Sequence, residues 1–353
     1  MRRALELARA GWGQTAPNPM VGAVVVRDGR VIAEGCHARF GAPHAEVVAL
    51  AAAGDAARGA ALYVTLEPCA HQGATPPCAD AIIAAGVARV VIAATDPNPV
   101  AAGGVDRLRA AGIAVEVGDG ANAAHESNAA FFHRFARPER PFVTLKLAVS
   151  IDGAIAAPDR APSIWLTGPE SRREVHRVRA GHDAIAVGIG TVLADNPRLT
   201  VREWRAPRVP PTRVIFDSEL RTPLESALVR SARAEPVVIV ARTPHAGRAK
   251  ALAAVGVDIV VASAFSEALL SLAERGIGSM LVEGGARLAG SFLTHAAVDR
   301  LIIFRTPVVL GAGALQAFAF APPADVARLE RLPAIERRVL GDDVMTTYAL
   351  GAT

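Results

Sequence analysis

The sequence predicts an α/β fold divided into two domains. The chain has 353 residues, and one domain usually takes about 150, so two domains are expected. Apolar runs of strand length alternate with helical segments along both halves, a pattern typical of layered α/β domains. Two prolines in Arg137–Pro141 interrupt this pattern, since proline fits neither a helix interior nor a central strand. We therefore predict domains of residues 1–140 and 141–353.

Composition excludes several classes of protein. Apolar residues make up 51% and charged residues 20%, which excludes a disordered chain. Three cysteines allow at most one disulfide, so a secreted disulfide scaffold is excluded. The sequence has no run of 18 uncharged apolar residues, and Glu6 and Arg9 interrupt the N-terminal stretch, which favours a short amphipathic helix over a signal peptide. We expect a cytoplasmic protein with no membrane partner.

The charge balance is weakly basic. Lysine and arginine number 38 against 34 acidic residues, a net charge of +4, which suits either a nucleic acid or a small anion. The arginines are scattered, with no block of five or six, and only 5% of residues are aromatic. Both features favour an anionic small molecule over a nucleic acid.

Local patterns predict the elements of the first half. Two strands, Val21–Arg27 and Val31–Cys36, form a hairpin across Asp28-Gly29. Helices and strands then alternate: helix His44–Ala53, strand Ala61–Leu66, helix Cys78–Ala85 ended by Gly86, strand Arg89–Ala94, a helix from Gly103-Gly104 to Ala111, strand Ile113–Val117 and a helical segment over Ala121–Ala136.

The second half repeats the alternation of strands and helices. It opens with a strand over Phe142–Ser150 and a turn at Asp152-Gly153. Further buried strands are predicted at Ala184–Val187, Arg213–Phe216, Pro236–Ala241, Ser279–Val282 and Leu301–Arg305.

Three residues of the first half are candidate zinc ligands: His44, Cys69 and Cys78. Zinc prefers imidazole and thiolate, and a catalytic site uses three protein ligands and leaves a position for water. Cys78 opens a predicted helix, whose N-terminal dipole favours a thiolate. Cys36 lies on a predicted strand and is expected to be an ordinary core residue.

The context of these ligands indicates deaminase chemistry. A His-x-Glu followed by Pro-Cys and a second cysteine is typical of zinc deaminases, in which the glutamate moves protons and does not bind the metal. Glu46 is therefore the predicted catalytic residue. Residues 70–77 separate the two cysteines, a wider gap than the two-residue spacing of nucleobase deaminases.

The chain resembles the bifunctional RibD family of riboflavin biosynthesis, a deaminase fused to a reductase. In the first half the resemblance rests on Pro17–Ala23, Gly41–Glu46, Thr65–Cys78 and Asp96–Pro99, and the wide cysteine gap is part of the family pattern. In the second half it rests on Leu145–Ala148, Ser150–Gly153, Ser163–Gly168, Arg179-Ala180, Gly190–Pro197, Leu199–Arg202 and Val282–Gly285. The resemblance implies an N-terminal cytidine-deaminase-like α/β/α domain and a C-terminal dihydrofolate-reductase-like α/β domain that uses NADPH.

The resemblance also implies roles for individual residues. The implied cofactor-binding residues are Ala148, Trp165, Thr191, Asp195, Ser218, Gly285, Ala286, Arg287, Leu288, Ala289, Gly290 and Ser291. The implied substrate-binding residues are Asn18, Lys146, Ser163, Arg179, Leu199, Arg202 and Glu283. Arg179 and Arg202 suit a ribose phosphate. Asn18 either binds the pyrimidine ring through its amide or is a turn residue between two prolines. Asp195 and Glu283 either orient the nicotinamide or protonate the substrate.

The function implied is two successive reactions. The first is zinc-dependent deamination of 2,5-diamino-6-(5-phosphoribosylamino)pyrimidin-4-one to the aminouracil, and the second is NADPH-dependent reduction of its ribosyl group to ribityl. Two alternatives stay open, a deaminase with a non-catalytic second domain and a deaminase of nucleic-acid bases. A homodimer is expected because it is the commonest symmetric assembly.

Overall fold

The computed structural model describes residues 1–73, 76–157, 165–319 and 331–350. The chain forms two compact units, residues 1–136 and 137–353. Among the described residues, no helix is both long enough and apolar enough to cross a membrane. Ser163 lies outside the described residues.

The first unit is built on a five-stranded sheet. Its strands are β1 (Gly22–Arg27), β2 (Arg30–Cys36), β3 (Ala61–Val64), β4 (Arg89–Ile92) and β5 (Ala114–Val117). The order across the sheet is β2-β1-β3-β4-β5. β1 runs antiparallel to β2 and β3, and β3, β4 and β5 are parallel.

Helices accompany this sheet. They are α1 (Arg2–Ala8), α2 (Ala45–Ala53), α3 (Cys78–Ala85), α4 (Gly104–Ala110), α5 (Ala121–Ser127) and α6 (Ala129–Ala136). The main core of this unit joins residues of α2, α3 and α4 to alternate strand residues such as Leu62, Val64 and Val90. The alternation arises because successive strand side chains point to opposite faces.

The structure confirms the predicted hairpin and the predicted last helical segment of this unit. Asp28 and Gly29 both have positive φ, 51° and 73°, as the tight turn between β1 and β2 requires. The predicted helical segment over Ala121–Ala136 is confirmed, and it divides into two helices at Asn128. The Asn128 side chain accepts from the N–H of Met20 and donates to its carbonyl, a pairing between distant residues that no local pattern encodes.

The second unit is built on a nine-stranded sheet. Its strands are β6 (Phe142–Val149), β8 (Ala184–Gly188), β9 (Thr212–Phe216), β10 (Val237–Ala241), β11 (Val257–Val261), β12 (Ser279–Val282), β13 (Arg300–Arg305), β15 (Ala334–Leu340) and β16 (Asp343–Ala349). Their order is β11-β10-β9-β8-β12-β6-β13-β16-β15. The strands from β11 to β13 in this order are parallel, and β16 and β15 follow as an antiparallel edge. The five strands predicted between residues 184 and 305 are confirmed, whereas β11, β15 and β16 were not predicted.

Helices cover both faces of this sheet, as a parallel sheet requires. They are α7 (Pro169–Ala180), α8 (Ile189–Asp195), α9 (Ala227–Arg230), α10 (Ala246–Ala254), α11 (Phe265–Glu274) and α12 (Ala286–Thr294). A separate pair of short strands, β7 (Ala154–Ala156) and β14 (Leu315–Gln316), is antiparallel. Leu145 and Leu147 of β6 belong to the largest core, so Lys146 lies on the opposite face. On that face α7 packs through Val175 and Val178.

Candidate active sites

Three metal-ligating side chains converge in the first unit. The Nδ1 atom of His44 lies 3.1 Å from Sγ of Cys78 and 3.7 Å from Sγ of Cys69. All three ligand atoms lie within 4.8 Å of one another. The structure therefore brings together the three candidate zinc ligands that the sequence predicts.

Secondary structure fixes the positions of these ligands. His44 is the residue that precedes α2, and Cys78 is the first residue of α3. Cys69 lies in the loop after β3, where the backbone N–H of Cys78 donates to its sulfur at 3.4 Å. The N-terminal ends of the two helices and the loop after β3 thus meet at one point, where helix dipoles favour negative charge.

The donor set fits a zinc ion. Bonds of about 2.1 Å to nitrogen and 2.3 Å to sulfur in tetrahedral geometry place ligand atoms roughly 3.6–3.8 Å apart, close to the spacing here. The hydrogen bond from the Cys78 thiol lowers the pKa of Cys69 to about 4, which favours a thiolate at this sulfur. The same contact and burial raise the pKa of Cys78. A zinc ion held by His44, Cys69 and Cys78 would supply the positive charge that favours the thiolate form of both cysteines.

Glu46 lies beside the three ligands in the first turn of α2 and is 3% exposed. Burial raises its pKa to about 7. A carboxyl group with a pKa near the working pH can both accept and release a proton, which is the property that general acid–base catalysis requires.

Glu67 is a second buried carboxylate near this site, and it was not singled out in the sequence. Its two oxygens accept from the backbone N–H groups of Asp96, Gly103 and Val105 at 3.0–3.1 Å. These bonds tie the segment just before Cys69 to the loop after β4 and to the start of α4. In the sequence, only the position of Glu67 two residues before Cys69 indicates that it lies near the site.

Asn18 lies next to His37, another residue that was not singled out. Nδ2 of Asn18 is 3.4 Å from Nε2 of His37, and the His37 ring meets that of His44 edge to face at 5.3 Å between centroids. The other ring nitrogen of His37 lies 3.2 Å from the carbonyl oxygen of Pro43. Burial lowers the pKa of His37, which favours a neutral ring. Asn18 is therefore linked to the metal-ligand cluster through His37.

A charged cluster lies on one face of the sheet in the second unit. Nε and Nη2 of Arg179 donate to the two carboxylate oxygens of Glu283 at 2.6 and 2.8 Å. Although burial opposes ionisation, the ion pair with Arg179 lowers the pKa of Glu283 to about 2. Burial lowers the pKa of Lys146, and the negative charge of Glu283 partly offsets this lowering. Three of the predicted substrate residues are thus electrostatically linked.

The loop after α8 carries two more predicted substrate residues. Leu199 is 4% exposed and has a φ of +53°, a conformation that non-glycine residues seldom adopt. Arg202 is exposed, and its Nη1 donates to Oγ1 of Thr200 at 2.9 Å. Nη1 of Arg179 donates to the Thr200 carbonyl at 3.0 Å. Most donors of Arg179 are therefore used within the protein, whereas Arg202 presents its guanidinium to solvent.

The predicted cofactor residues gather mainly at two helix starts. Gly188 precedes α8 and Gly285 precedes α12, and neither helix has a side-chain cap. These helices follow the neighbouring strands β8 and β12, and a Cβ added at Gly285 would lie 3.8 Å from Oγ1 of Thr191. Uncapped N–H groups at adjacent strand ends suit the phosphates of a dinucleotide, so this edge fits NADPH. Arg287, Leu288, Gly290 and Ser291 follow in α12, together with the buried Ala286 and Ala289.

The other predicted cofactor residues are spread around the second unit. Trp165 is 70% exposed, with Cζ of Arg172 at 5.5 Å from its ring centroid. Asp195 ends α8. The carbonyl of Ser218, just after β9, accepts from the N–H groups of Arg242 and Thr243. Ala148 packs against the core under α7.

Two family models match the chain. Residues 1–94 match the cytidine and deoxycytidylate deaminase zinc-binding region, and residues 141–333 match the RibD C-terminal domain. The first match contains the His44, Cys69 and Cys78 cluster, and the second contains the Arg179 and Glu283 pair.

Whole proteins of known family are also similar. The riboflavin biosynthesis protein RibD of Aquifex aeolicus is 44% identical over 89% of this chain and 87% of its own. That of Escherichia coli is 40% identical over 89% of this chain and 88% of its own.

Solved structures of full-length relatives share the fold. The RibD of Acinetobacter baumannii has a TM-score of 0.85 at 37% identity, covering 99% of this chain and 97% of its own. A diaminohydroxyphosphoribosylaminopyrimidine deaminase and 5-amino-6-(5-phosphoribosylamino)uracil reductase from Thermotoga maritima has a TM-score of 0.85 at 36% identity, with the same coverage of both chains.

These matches confirm the predicted α/β fold with a deaminase domain followed by a reductase domain, and they confirm the resemblance drawn from the motifs. The cofactors are zinc and NADPH. The chain belongs to the RibD family, the bifunctional deaminase–reductases of riboflavin biosynthesis.

Proposed function

We propose that His44, Cys69 and Cys78 hold the zinc of the deaminase and that Glu46 is its proton carrier. The proposed substrate is 2,5-diamino-6-(5-phosphoribosylamino)pyrimidin-4-one, and the Thermotoga relative is named as a deaminase of this class of compound. One observation carries this proposal: a nitrogen and two sulfurs lie within 4.8 Å of one another, beside a buried carboxyl group.

Glu46 transfers the protons during the deamination. When bound, zinc acts as a Lewis acid that makes water nucleophilic at neutral pH. The Glu46 carboxylate takes a proton from the attacking water and gives it to the departing amino group, and burial, which raises the pKa of this carboxyl group, favours its acting as a proton acceptor. Asn18 orients the pyrimidine ring with its amide, while His37 holds the Asn18 amide at 3.4 Å.

The second unit binds the deaminated product and reduces its ribosyl group. NADPH supplies the hydride, so the protein has to align donor and acceptor. Arg202 binds the substrate phosphate with its exposed guanidinium, and Ser163, Lys146 and Leu199 complete the substrate side. Glu283 stays ionised because Arg179 pairs with it, so it serves as a fixed negative group.

NADPH would bind at the edge formed by the starts of α8 and α12. The residues predicted from the sequence would hold it, and the N–H groups that follow Gly188 and Gly285 would bind its phosphates. We place the change from deaminase to reductase near residue 140, in a homodimer that works in the cytoplasm.

The test is the variant Glu46→Gln, which keeps the size of the side chain and removes its proton chemistry. We expect one zinc per chain to be retained, deamination to fall by at least about 1,000-fold, and NADPH oxidation with the aminouracil intermediate to be unchanged. Metal analysis and the two separate assays measure these outcomes.

Glu116→Gln is the matched control, since Glu116 is an exposed carboxylate of the same unit paired with Arg89. It should leave zinc content and both activities at wild-type values. Loss of zinc from Glu46→Gln would instead make Glu46 a ligand, and full deaminase activity would remove it from the mechanism.

A further inference from the structure

One face of α7 contacts three separate segments of the reductase unit. Arg172, His176 and Arg179 are spaced i, i+4 and i+7, which places them along one side of the helix. Arg172 donates to the carbonyl of Thr167 at 2.7 Å. Arg179 binds both Glu283, beyond β12, and the carbonyl of Thr200 in the loop after α8. His176 lies between these two arginines on the helix.

His176 holds the same loop at a second point. Its Nδ1 accepts the backbone N–H of Arg202 at 3.3 Å, and the residue is 5% exposed. The loop is thus bound to α7 at Thr200 by Arg179 and at Arg202 by His176. Leu199 precedes both anchors with a φ of +53°, and such a conformation persists only where surrounding contacts hold it.

The charges around His176 favour its neutral form. Arg179 of the same helix, Arg202 and Glu203 of the loop and Glu283 beyond β12 all act on the ring. Burial lowers the pKa of His176, and the two guanidinium groups lower it further, against the smaller effect of the two carboxylates. A neutral ring can accept at Nδ1, whereas a protonated ring has a hydrogen on both nitrogens and cannot.

We propose that His176 is a positioning residue of the reductase, which holds the loop Leu199–Arg202 in its substrate-binding conformation only while its ring is neutral. This inference rests on the proposed function, in which that loop binds the substrate phosphate. His176 acts through the Arg202 backbone and not on the reacting atoms, so its loss affects substrate binding and leaves the hydride step intact.

Two variants separate the hydrogen bond from the rest of the side chain. His176→Leu removes the acceptor, while His176→Asn keeps an oxygen near the position of Nδ1 and cannot be protonated there. We expect His176→Leu to raise the KM for the aminouracil intermediate roughly tenfold at pH 8, with kcat within about twofold of wild type. His176→Asn should keep KM within about twofold at that pH.

The pH dependence gives a second readout. A protonated ring loses its acceptor at Nδ1, whereas the amide oxygen of the His176→Asn variant keeps accepting at acid pH. Because burial and the two guanidinium groups lower the pKa of His176, the ratio of the wild-type KM to the KM of this variant should stay near 1 at neutral pH and rise only at acid pH. Comparing the two proteins cancels the ionisation of the substrate phosphate, which affects both equally.

The control is Glu174→Ala, on the opposite side of the same helix, where the carboxylate pairs with Arg177 and Arg338. We expect it to lower the melting temperature and leave KM unchanged. Absence of wild-type turnover with NADPH and the intermediate would contradict the proposed function itself. Wild-type turnover together with an unchanged KM in His176→Leu would overturn the positioning role alone.

Discussion

Two buried glutamates in this protein have opposite electrostatic surroundings, and this separates their roles. Burial without a strong cationic partner raises the pKa of Glu46 to about 7. Glu283 is also buried, but its bidentate pair with Arg179 lowers its pKa to about 2. The first carboxyl group can exchange a proton near neutral pH and the second stays negative. Two environments thus give the same residue type two functions.

Arg179→Gln should change the pH profile of the reductase. Without the guanidinium, burial raises the pKa of Glu283 above its ordinary value of 4.5, so the acid limb of kcat/KM should move to higher pH. The measurement is NADPH oxidation with the aminouracil intermediate across the range from acid to mildly alkaline pH. An acid limb at the wild-type position would mean that the ionised form of Glu283 is not needed.

The ion pair of Arg179 with Glu283 also stabilises the fold. Because the pKa of Glu283 is lowered in the fold, the contribution of this pair to the free energy of unfolding is complete above about pH 4.5 and is lost as pH falls toward 2. Arg179→Gln leaves a buried carboxylate without its main partner and should lower the free energy of unfolding at pH 7 by about 3 kcal/mol. Urea unfolding at pH 7 measures this change. The control is Arg275→Gln, which removes an exposed ion pair with Asp258 and should change the free energy of unfolding by less than about 1 kcal/mol.

Glu67→Gln should weaken the zinc site without touching a ligand. The Glu67 carboxylate accepts hydrogen bonds from three backbone N–H groups around the Cys69 loop. The glutamine amide replaces one of the two accepting oxygens by an NH2 group, which then faces a backbone N–H donor. We expect a loss of about 1–3 kcal/mol in the free energy of unfolding and a lower zinc content after dialysis. Urea unfolding and metal analysis measure the two effects, and unchanged values in both would show that the loop is held by other contacts.

Helix ends that depend on neighbouring residues were predictable from the sequence, and helix ends that depend on distant residues were not. The helix α3 begins at Cys78 and ends before Gly86, which has a φ of +69°, so glycine marks its end locally. The break between α5 and α6 depends on Asn128 bonding to Met20, 108 positions earlier. A pattern read within a window of residues contains no information about that partner.

The same distinction applies to the two sites. The candidate zinc ligands were predictable because the short motifs around them specify chemistry by residue type and spacing. The pairing of Arg179 with Glu283 spans 104 positions, and the sequence assigned both to the substrate without linking them. His37 and Glu67 were missed for a related reason, since each acts through a contact that exists only once the sheet and loops have assembled.

Close packing between elements also supports the zinc loop. Gly104 is the first residue of α4, and a Cβ there would overlap the carbonyl oxygen of Pro68, next to Cys69. Gly104→Ala should therefore displace this loop, lower the free energy of unfolding by about 2 kcal/mol, and reduce zinc content and deaminase activity together. Gly247→Ala, near the start of α10, is the control, because its Cβ would meet the His245 ring at 3.4 Å. If both variants behave alike, the close approach at Gly104 has no special role.

At the scale of the whole molecule, each unit contains its own core and its own group of site residues. The proposed zinc ligands and Glu46 all belong to residues 1–136, and the Arg179, Glu283 and α12 residues belong to residues 137–353. Each unit also has a separate hydrophobic cluster, one around α2 to α4 and one around β6 and β12. The two activities should therefore respond independently to a change confined to one unit.

Removal of zinc tests this independence in the full chain. A chelator should abolish deamination in proportion to the zinc lost, because the remaining imidazole and sulfurs cannot make water nucleophilic at neutral pH. NADPH oxidation with the aminouracil intermediate should stay within about twofold of its starting rate, since no zinc ligand belongs to the second unit's proposed site. Adding Zn²⁺ should restore deamination. A reductase rate that falls in step with zinc content would instead mean that the fold of the second unit depends on the metal site of the first.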